Sequence, residues 1–138
     1  MVVIVTNQSG IARRLITPEE YQAVRARVEE LFRDRGGVID ASYHCPHLPE
    51  ISGVCECRKP LAGMHRQAAA ELGLHTVGAM CAGDRRRDAE PALQLGGVGF
   101  VVPSSTTPDD EIVWARERSM LADDLPQAVS RFLRTLPT

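Results

Sequence analysis

The sequence predicts an α/β fold built around a parallel β-sheet. Four runs rich in apolar residues, at positions 2–5, 38–43, 77–82 and 97–102, are typical of strands, and the first consists entirely of β-branched residues. Segments with helical spacing of apolar residues separate these runs, so strands and helices alternate, and that order favours parallel strands. With 138 residues, 43% of them hydrophobic, the chain can bury one core, and we expect a single domain over residues 1–138.

The first strand and the first long helix have clear sequence signals. The run at 2–5 is continuous rather than alternating, which is typical of a strand covered on both faces. Thr17 and Glu20 have the spacing of a capping box, and Pro18 occupies the first helical position. We therefore predict a helix that begins after Thr17 and ends near the glycine pair at 36–37.

The second half of the chain continues the alternation. A helix is predicted over 64–72, and a short apolar strand follows at 77–82. We expect the next helix to end near residue 95 and to lead into the strand at 97–102. A polar loop then connects to a terminal amphipathic helix over 125–136.

The proline-containing loop at 45–60 holds a cluster of metal-ligand types. Cys45, His47, Cys55 and Cys57 form a C-x-H followed by a C-x-C, which is the ligand set of a closed tetrahedral zinc site. Four protein ligands leave no open position for water, so the pattern predicts a structural metal. The alternative, that these are unrelated free thiols, is the weaker interpretation of such close spacing.

Two further residues resemble ligands by type but not by position. His44 is adjacent to Cys45, yet the alternation of side chains along a strand directs it to the opposite side. Cys81 lies within an apolar strand, where a cysteine is typical of buried packing. We therefore leave both residues out of the predicted metal site.

Composition argues against several classes of function. Lys and Arg number 16 and Asp and Glu number 18, so the net charge of −2 offers no electrostatic basis for binding nucleic acid or an anionic membrane. No apolar run has the length of a secretory signal or of a membrane-spanning helix. We expect a cytoplasmic protein with reduced cysteines and a small-molecule partner.

Small polar side chains follow the first strand. Thr6, Asn7, Gln8 and Ser9 offer hydrogen-bond donors suited to phosphate oxygens, and Gly10 permits a close approach of the backbone. Polar residues after a strand are also typical of an ordinary turn or helix cap. Phosphate binding is thus one of two interpretations of this segment taken alone.

Charged residues flank two of the predicted motifs. Arg58 and Lys59 follow the last cysteine of the loop, where two cations held in place suit a phosphate; the alternative is a solvated basic pair. Asp84 ends a strand and opens a helix, a position at which a carboxylate suits Mg²⁺, with Asp88 one turn further. The alternative at Asp84 is a plain helix cap.

Taken together, the strings TNQSGIAR, CPH…CECRKP and AGDRRRD resemble the D-glycero-D-manno-heptose 1,7-bisphosphate 7-phosphatase family of the haloacid dehalogenase superfamily. The similarity runs over nearly the whole chain. It implies a three-layer Rossmann-like sheet and a phosphomonoesterase that removes the 7-phosphate in ADP-heptose biosynthesis. It also implies an aspartate nucleophile, Mg²⁺ and a structural Zn²⁺.

The resemblance also implies roles for individual residues. Arg85 stands where relatives commonly have lysine, so the charge is kept while the hydrogen-bond geometry changes. The metal ligands implied are Cys45, His47, Cys55 and Cys57 for zinc and Asp84 for magnesium. The substrate-binding residues implied are Thr6, Asn7, Gln8, Ser9, Arg58, Lys59 and Arg85.

One motif of the superfamily has no counterpart in this sequence. The D-x-D-G-T string, which carries the nucleophile and the general acid/base ahead of residue 1 in relatives, is absent, and the acidic pairs at 109–110 and 123–124 lack its spacing. We therefore expect an N-terminally truncated fold with no catalytic residue and little turnover. We also expect unpaired strand edges, through which copies of the chain associate.

Three hypotheses stay open on the sequence. The first takes Met1 as an internal position of a longer heptose bisphosphate phosphatase. The second is a non-catalytic zinc module that binds a sugar phosphate or a partner. The third keeps the truncated phosphatase but changes its substrate to histidinol phosphate, because histidinol-phosphate phosphatases resemble this chain in the same cysteine loop.

Overall fold

The computed structural model describes residues 1–137 as an α/β protein. The internal contacts divide the chain into a first unit, Met1–Arg58 with Gly63–Leu72, and a second unit, Lys59–Ala62 with Gly73–Thr138. The strands are β1 (Val3–Asn7), β2 (Ala41–Cys45), β3 (Met80–Gly83) and β4 (Val98–Val101). The helices are α1 (Ser9–Ala12), α2 (Pro18–Arg33), α3 (Pro49–Ser52), α4 (Gly63–Leu72), α5 (Arg86–Ala89), α6 (Pro91–Leu95), α7 (Asp109–Glu117) and α8 (Leu125–Leu133).

Each unit contains one pair of parallel strands, which confirms the predicted strand direction. In the first unit β1 pairs with β2, and Asn7 lies opposite Cys45 at the carboxyl end of the pair. In the second unit β3 pairs with β4, and Gly83 lies opposite Val101. The carboxyl ends of the strands are therefore where the predicted polar and metal-binding residues begin.

The long helix α2 begins as predicted. The Thr17 hydroxyl accepts a hydrogen bond from the Glu20 N–H at 3.1 Å, and the Glu20 carboxylate accepts one from the Thr17 N–H at 2.8 Å. These two bonds satisfy donors that the first turn of a helix leaves without partners. At the other end the helix stops at Arg33, and Gly36 follows with a left-handed φ of 78°, a conformation that glycine adopts readily.

Strand β4 carries the core of the second unit. Phe100 and Val101 are 3% and 0% exposed, and as neighbours on a strand they face opposite sides. Phe100 packs in one cluster of buried residues with Ala122 and Ala128. Val101 packs in a second cluster that includes Trp114. A strand covered on both faces is what its continuous apolar sequence predicted.

The structure differs from the sequence prediction in several elements. The helix expected to end near residue 95 is split in two, because Pro91 lacks the N–H that would continue α5 and begins α6 instead. Helix α7, over Asp109–Glu117, and the short helix α3 were not predicted. Within residues 1–137, no helix has the length and the apolar character needed to cross a membrane.

We predict that Thr17→Ala lowers the free energy of unfolding by about 1 kcal/mol, because the first turn of α2 loses its hydroxyl acceptor. Chemical denaturation measures this change. Thr17→Ser keeps the hydroxyl and serves as the matched control. Equal stability of the alanine and serine variants would contradict the assigned cap.

Candidate functional site

Four side chains from the loop after β2 converge in the first unit. The Cys45 sulfur lies 3.0 Å from the Cys57 sulfur and 3.6 Å from the Cys55 sulfur, and His47 Nδ1 lies 3.2 Å from the Cys57 sulfur. All four ligand atoms fall within 4.8 Å of one another. Ligand sulfurs about 2.3 Å from a tetrahedral metal would be about 3.8 Å apart. The cluster thus has the dimensions to hold one metal ion.

The Cys57 thiol of this cluster is poorly suited to carry a negative charge without a cation. Burial, together with hydrogen bonds and charges from Cys45 and Cys55, raises the pKa of Cys57 to about 12. A metal ion binds the thiolate form and would reverse this effect. The donor set, three sulfurs and one imidazole nitrogen, is the one that soft or borderline metals prefer.

The residues excluded from the metal site lie where the sequence predicted. His44 contacts the ring of Tyr21, with ring centroids 4.3 Å apart, and does not belong to the cluster. Burial also lowers the pKa of His44. Cys81 is 8% exposed on β3, and burial raises its pKa to about 11. Both predictions are confirmed.

The metal-ligand loop is tied to its surroundings at two points. The Arg58 guanidinium donates through Nη1 to the carbonyl oxygen of His47 at 3.1 Å, so this cation is attached to the loop that carries the ligands. Gly63, at the start of α4, passes so close to the loop that an added Cβ would lie 2.2 Å from the Glu56 carbonyl oxygen. Glycine is therefore required for this approach.

The polar segment after β1 lies in the same unit. Thr6 and Asn7 are the last residues of β1, Gln8 precedes α1, and Ser9 begins it. The Gln8 N–H donates to the Cys45 carbonyl oxygen at 2.7 Å, and the Gln8 amide donates to the Thr6 hydroxyl at 3.0 Å. Two of the four predicted phosphate-binding side chains thus contact each other, and the segment is fixed to the strand that ends in Cys45.

In the second unit, Lys59 forms a nearly buried ion pair. Its ammonium lies 2.6 Å from Asp88 Oδ1, and the two side chains are 10% and 11% exposed. The other carboxylate oxygen of Asp88 accepts a hydrogen bond from the Arg85 N–H at 3.0 Å. An added Cβ on Gly83 would lie 2.4 Å from the Asp88 Cβ. Asp88 therefore holds Lys59 at the end of β3, where only glycine leaves room for it.

Arg85 is also bound to a carboxylate. Its guanidinium donates through Nε and Nη2 to the two carboxylate oxygens of Glu111, both at 3.1 Å. The Arg86 N–H donates to the same carboxylate at 2.7 Å. The hydrogen bonds from Arg85, outweighing the effect of burial, lower the pKa of Glu111. This bidentate pair was not predicted from the sequence.

Asp84 follows β3 directly and is held by the loop after β4. The Ser104 hydroxyl donates to Asp84 Oδ2 at 2.9 Å, and the Thr107 hydroxyl donates to the Asp84 carbonyl oxygen at 2.6 Å. From the sequence, this segment was predicted only to be a polar loop. Its run of hydroxyl residues immediately after a strand was the signal that could have identified it.

Comparison with known proteins places these features in a family. Residues 56–128 match a HAD-hydrolase-like family model. A D-glycero-β-D-manno-heptose-1,7-bisphosphate 7-phosphatase of Pseudomonas putida is 33% identical over 132 residues, which cover 96% of this chain and 74% of the relative. The chain belongs to the heptose-1,7-bisphosphate 7-phosphatase family. It is therefore a member of the haloacid dehalogenase-like phosphatases, as the sequence motifs predicted.

Other relatives in the heptose-1,7-bisphosphate 7-phosphatase family agree with this assignment. The enzyme of that name from Yersinia pestis is 42% identical over 97 residues, and the match spans about half of its length, 52%. The crystal structure of the D,D-heptose 1,7-bisphosphate phosphatase from B. bronchiseptica, complexed with magnesium and phosphate, superposes with a TM-score of 0.80 at 32% identity. That superposition covers 99% of this chain and 75% of the relative. The predicted α/β fold class is confirmed.

We predict that the purified protein carries one tightly bound metal ion per chain at the cysteine and histidine cluster. Cys57→Ala should lose that ion, because one of the four ligands is removed. Cys81→Ala removes a thiol outside the cluster and should keep it. Elemental analysis of the dialysed variants measures their metal content. Equal metal content in the two variants would contradict metal binding at this cluster.

We predict that Asp88→Asn lowers the free energy of unfolding by about 2–4 kcal/mol, because it leaves the Lys59 ammonium nearly buried without a counter-charge. Asp84→Asn is the control, since asparagine can still accept from Ser104 and no buried cation loses its partner. Denaturant titration measures both variants. Similar small losses, below about 1 kcal/mol each, would show that the ion pair has no such role.

Proposed function

We propose that this chain supplies the substrate-binding and charge-neutralising residues for hydrolysis of the 7-phosphate of D-glycero-β-D-manno-heptose 1,7-bisphosphate. The observation that carries the proposal is that Arg58 and Lys59, in the motif by which the chain resembles the family, are both fixed by protein contacts. Arg58 donates to the His47 carbonyl, and Lys59 pairs with Asp88. Cations held in place in this way lose less conformational entropy when they bind an anion.

The cysteine and histidine cluster supports a structural role for zinc. Three sulfurs and one nitrogen could together hold one zinc ion, and four protein ligands would leave no position for a reacting water. Zinc bound there would stabilise a loop that has few buried apolar side chains. Its effect on the substrate would then act through Arg58, which the loop carries.

Asp84 supports magnesium binding. It offers a carboxylate at the carboxyl end of β3, and Mg²⁺ commonly binds one or two carboxylates together with waters and substrate phosphate. When bound, Mg²⁺ would offset negative charge on the phosphoryl oxygens. In the first unit, Thr6, Asn7 and Ser9 offer hydrogen-bond donors suited to phosphate oxygens.

We also propose that residues 1–138 bind the substrate without turning it over. The sequence has no D-x-D-G-T motif, and the resemblance places the nucleophile and the general acid/base in that motif. Positioning and charge neutralisation do not replace a covalent step. Binding and turnover are therefore expected to separate in this chain.

Calorimetry on residues 1–138 with zinc and Mg²⁺ tests this proposal. We expect the heptose bisphosphate to bind, histidinol phosphate to bind more weakly, and neither to release phosphate. Arg58→Ala should weaken binding about tenfold or more, the effect of losing a charge-assisted hydrogen bond. Arg27→Ala, an exposed arginine on α2, is the matched control and should leave binding unchanged.

The possible results separate the alternatives. Absence of binding to either compound would contradict the substrate assignment. Tighter binding of histidinol phosphate would move the assignment to that substrate. Phosphate release that follows the purified chain through chromatography and is lost in Asp84→Asn would contradict the expected loss of turnover.

A further inference from the structure

Thr107 is a buried polar side chain in a part of the chain that the motifs do not explain. Among residues 1–137, Thr107 is the polar residue whose side chain is buried, with 8% of the residue exposed. Its hydroxyl accepts a hydrogen bond from the Ser104 N–H at 2.9 Å and donates one to the Asp84 carbonyl oxygen at 2.6 Å. Burying a hydroxyl is costly unless it is hydrogen-bonded. One of the two bonds closes the loop between Ser104 and Thr107, and the other joins that loop to Asp84.

Ser104 acts on the side chain of the same aspartate. Its hydroxyl donates to Asp84 Oδ2 at 2.9 Å and accepts from the Thr106 N–H at 3.3 Å. The loop therefore binds Asp84 twice, once at the carboxylate and once at the main chain.

The strand register explains why this loop reaches Asp84. Gly83 lies opposite Val101, and the Val102 N–H donates to the Gly83 carbonyl oxygen at 2.8 Å. The two parallel strands thus end side by side, and the residues that follow each of them are neighbours. A loop that begins at residue 103 is in place to bind the residue that follows β3.

We propose that Ser104 and Thr107 are positioning residues that hold the Asp84 carboxylate in one orientation for a divalent cation. Thr107 fixes the main chain at Asp84, and Ser104 fixes the rotation of its side chain. This inference rests on the proposed function for the role of the cation, but the orientation of Asp84 is a property of the chain itself. Removing a residue that orients a metal-binding side chain commonly lowers the metal affinity about 10- to 100-fold.

The first test measures the Asp84 side chain without any added divalent cation. Three-bond NMR couplings from the Asp84 carboxyl carbon to its backbone nitrogen and carbonyl carbon report whether one χ1 rotamer is populated. We expect one rotamer in the wild type and in Thr107→Ser, which keeps the hydroxyl. We expect averaged couplings in Ser104→Ala and Thr107→Val. Averaged couplings in the wild type would overturn the proposal whatever the metal does.

The second test uses Mn²⁺ with inorganic phosphate on the zinc-loaded chain, since Mn²⁺ broadens nearby amide signals and shares the oxygen preference of Mg²⁺. We expect Asp84→Asn to abolish broadening at residues 83–85. Ser104→Ala and Thr107→Val should weaken the apparent affinity about tenfold. Thr107→Ser keeps the hydroxyl and should keep the wild-type affinity. Ser105→Ala, which removes an exposed hydroxyl in the same loop, should also match the wild type.

The two measurements distinguish failure of this inference from failure of the proposed function. A single Asp84 rotamer that is lost in Thr107→Val, with no Asp84-dependent Mn²⁺ binding, would support the positioning and contradict the metal role. Mn²⁺ binding that depends on Asp84 but is equal in the wild type, Ser104→Ala and Thr107→Val would overturn the positioning and keep the metal role.

Discussion

The path of the loop between β2 and α4 depends on four ligand side chains that crowd around one point. Burial raises the pKa of the Cys57 thiol, so the charged form of this ligand is unfavourable without a cation. A bound cation would remove that penalty and would fix the His47 carbonyl, to which Arg58 donates. The position of Arg58, which we propose binds the substrate phosphate, is thus linked to the metal-ligand cluster through the His47 carbonyl.

In the second unit the basic residues of the motifs have acidic partners within the chain. Lys59 is neutralised by Asp88, and Arg85 by Glu111. Cations removed from water need such partners, and the partners also restrict the directions in which the cations can point. A ligand that approaches Lys59 or Arg85 meets a side chain whose orientation is already set and whose positive charge is balanced by a neighbouring carboxylate.

Features that depend on a few neighbouring residues were predictable from the sequence. The capping box at Thr17, the metal-ligand cluster and the position of Asp84 after a strand each follow from short spacings. Contacts between residues that follow β3 and residues that follow β4 were not predictable from the sequence. Arg85 meets Glu111 at a separation of 26 residues, and Asp84 meets Ser104 at 20, so these pairs appear only when β3 and β4 are aligned. Helix α7, which carries Glu111, was missed for a different reason, because its first two residues, Asp109 and Asp110, were assigned to the preceding polar loop.

Gly83 links the backbone of β3 to the charge pair beside it. A methyl group at this position would meet the Asp88 side chain at 2.4 Å, so Asp88 would have to move away from the Lys59 ammonium. A glycine-to-alanine substitution on the strand would therefore disturb the ion pair of a lysine 24 positions earlier in the sequence. In any redesign of this unit, positions 59, 83 and 88 have to be varied together.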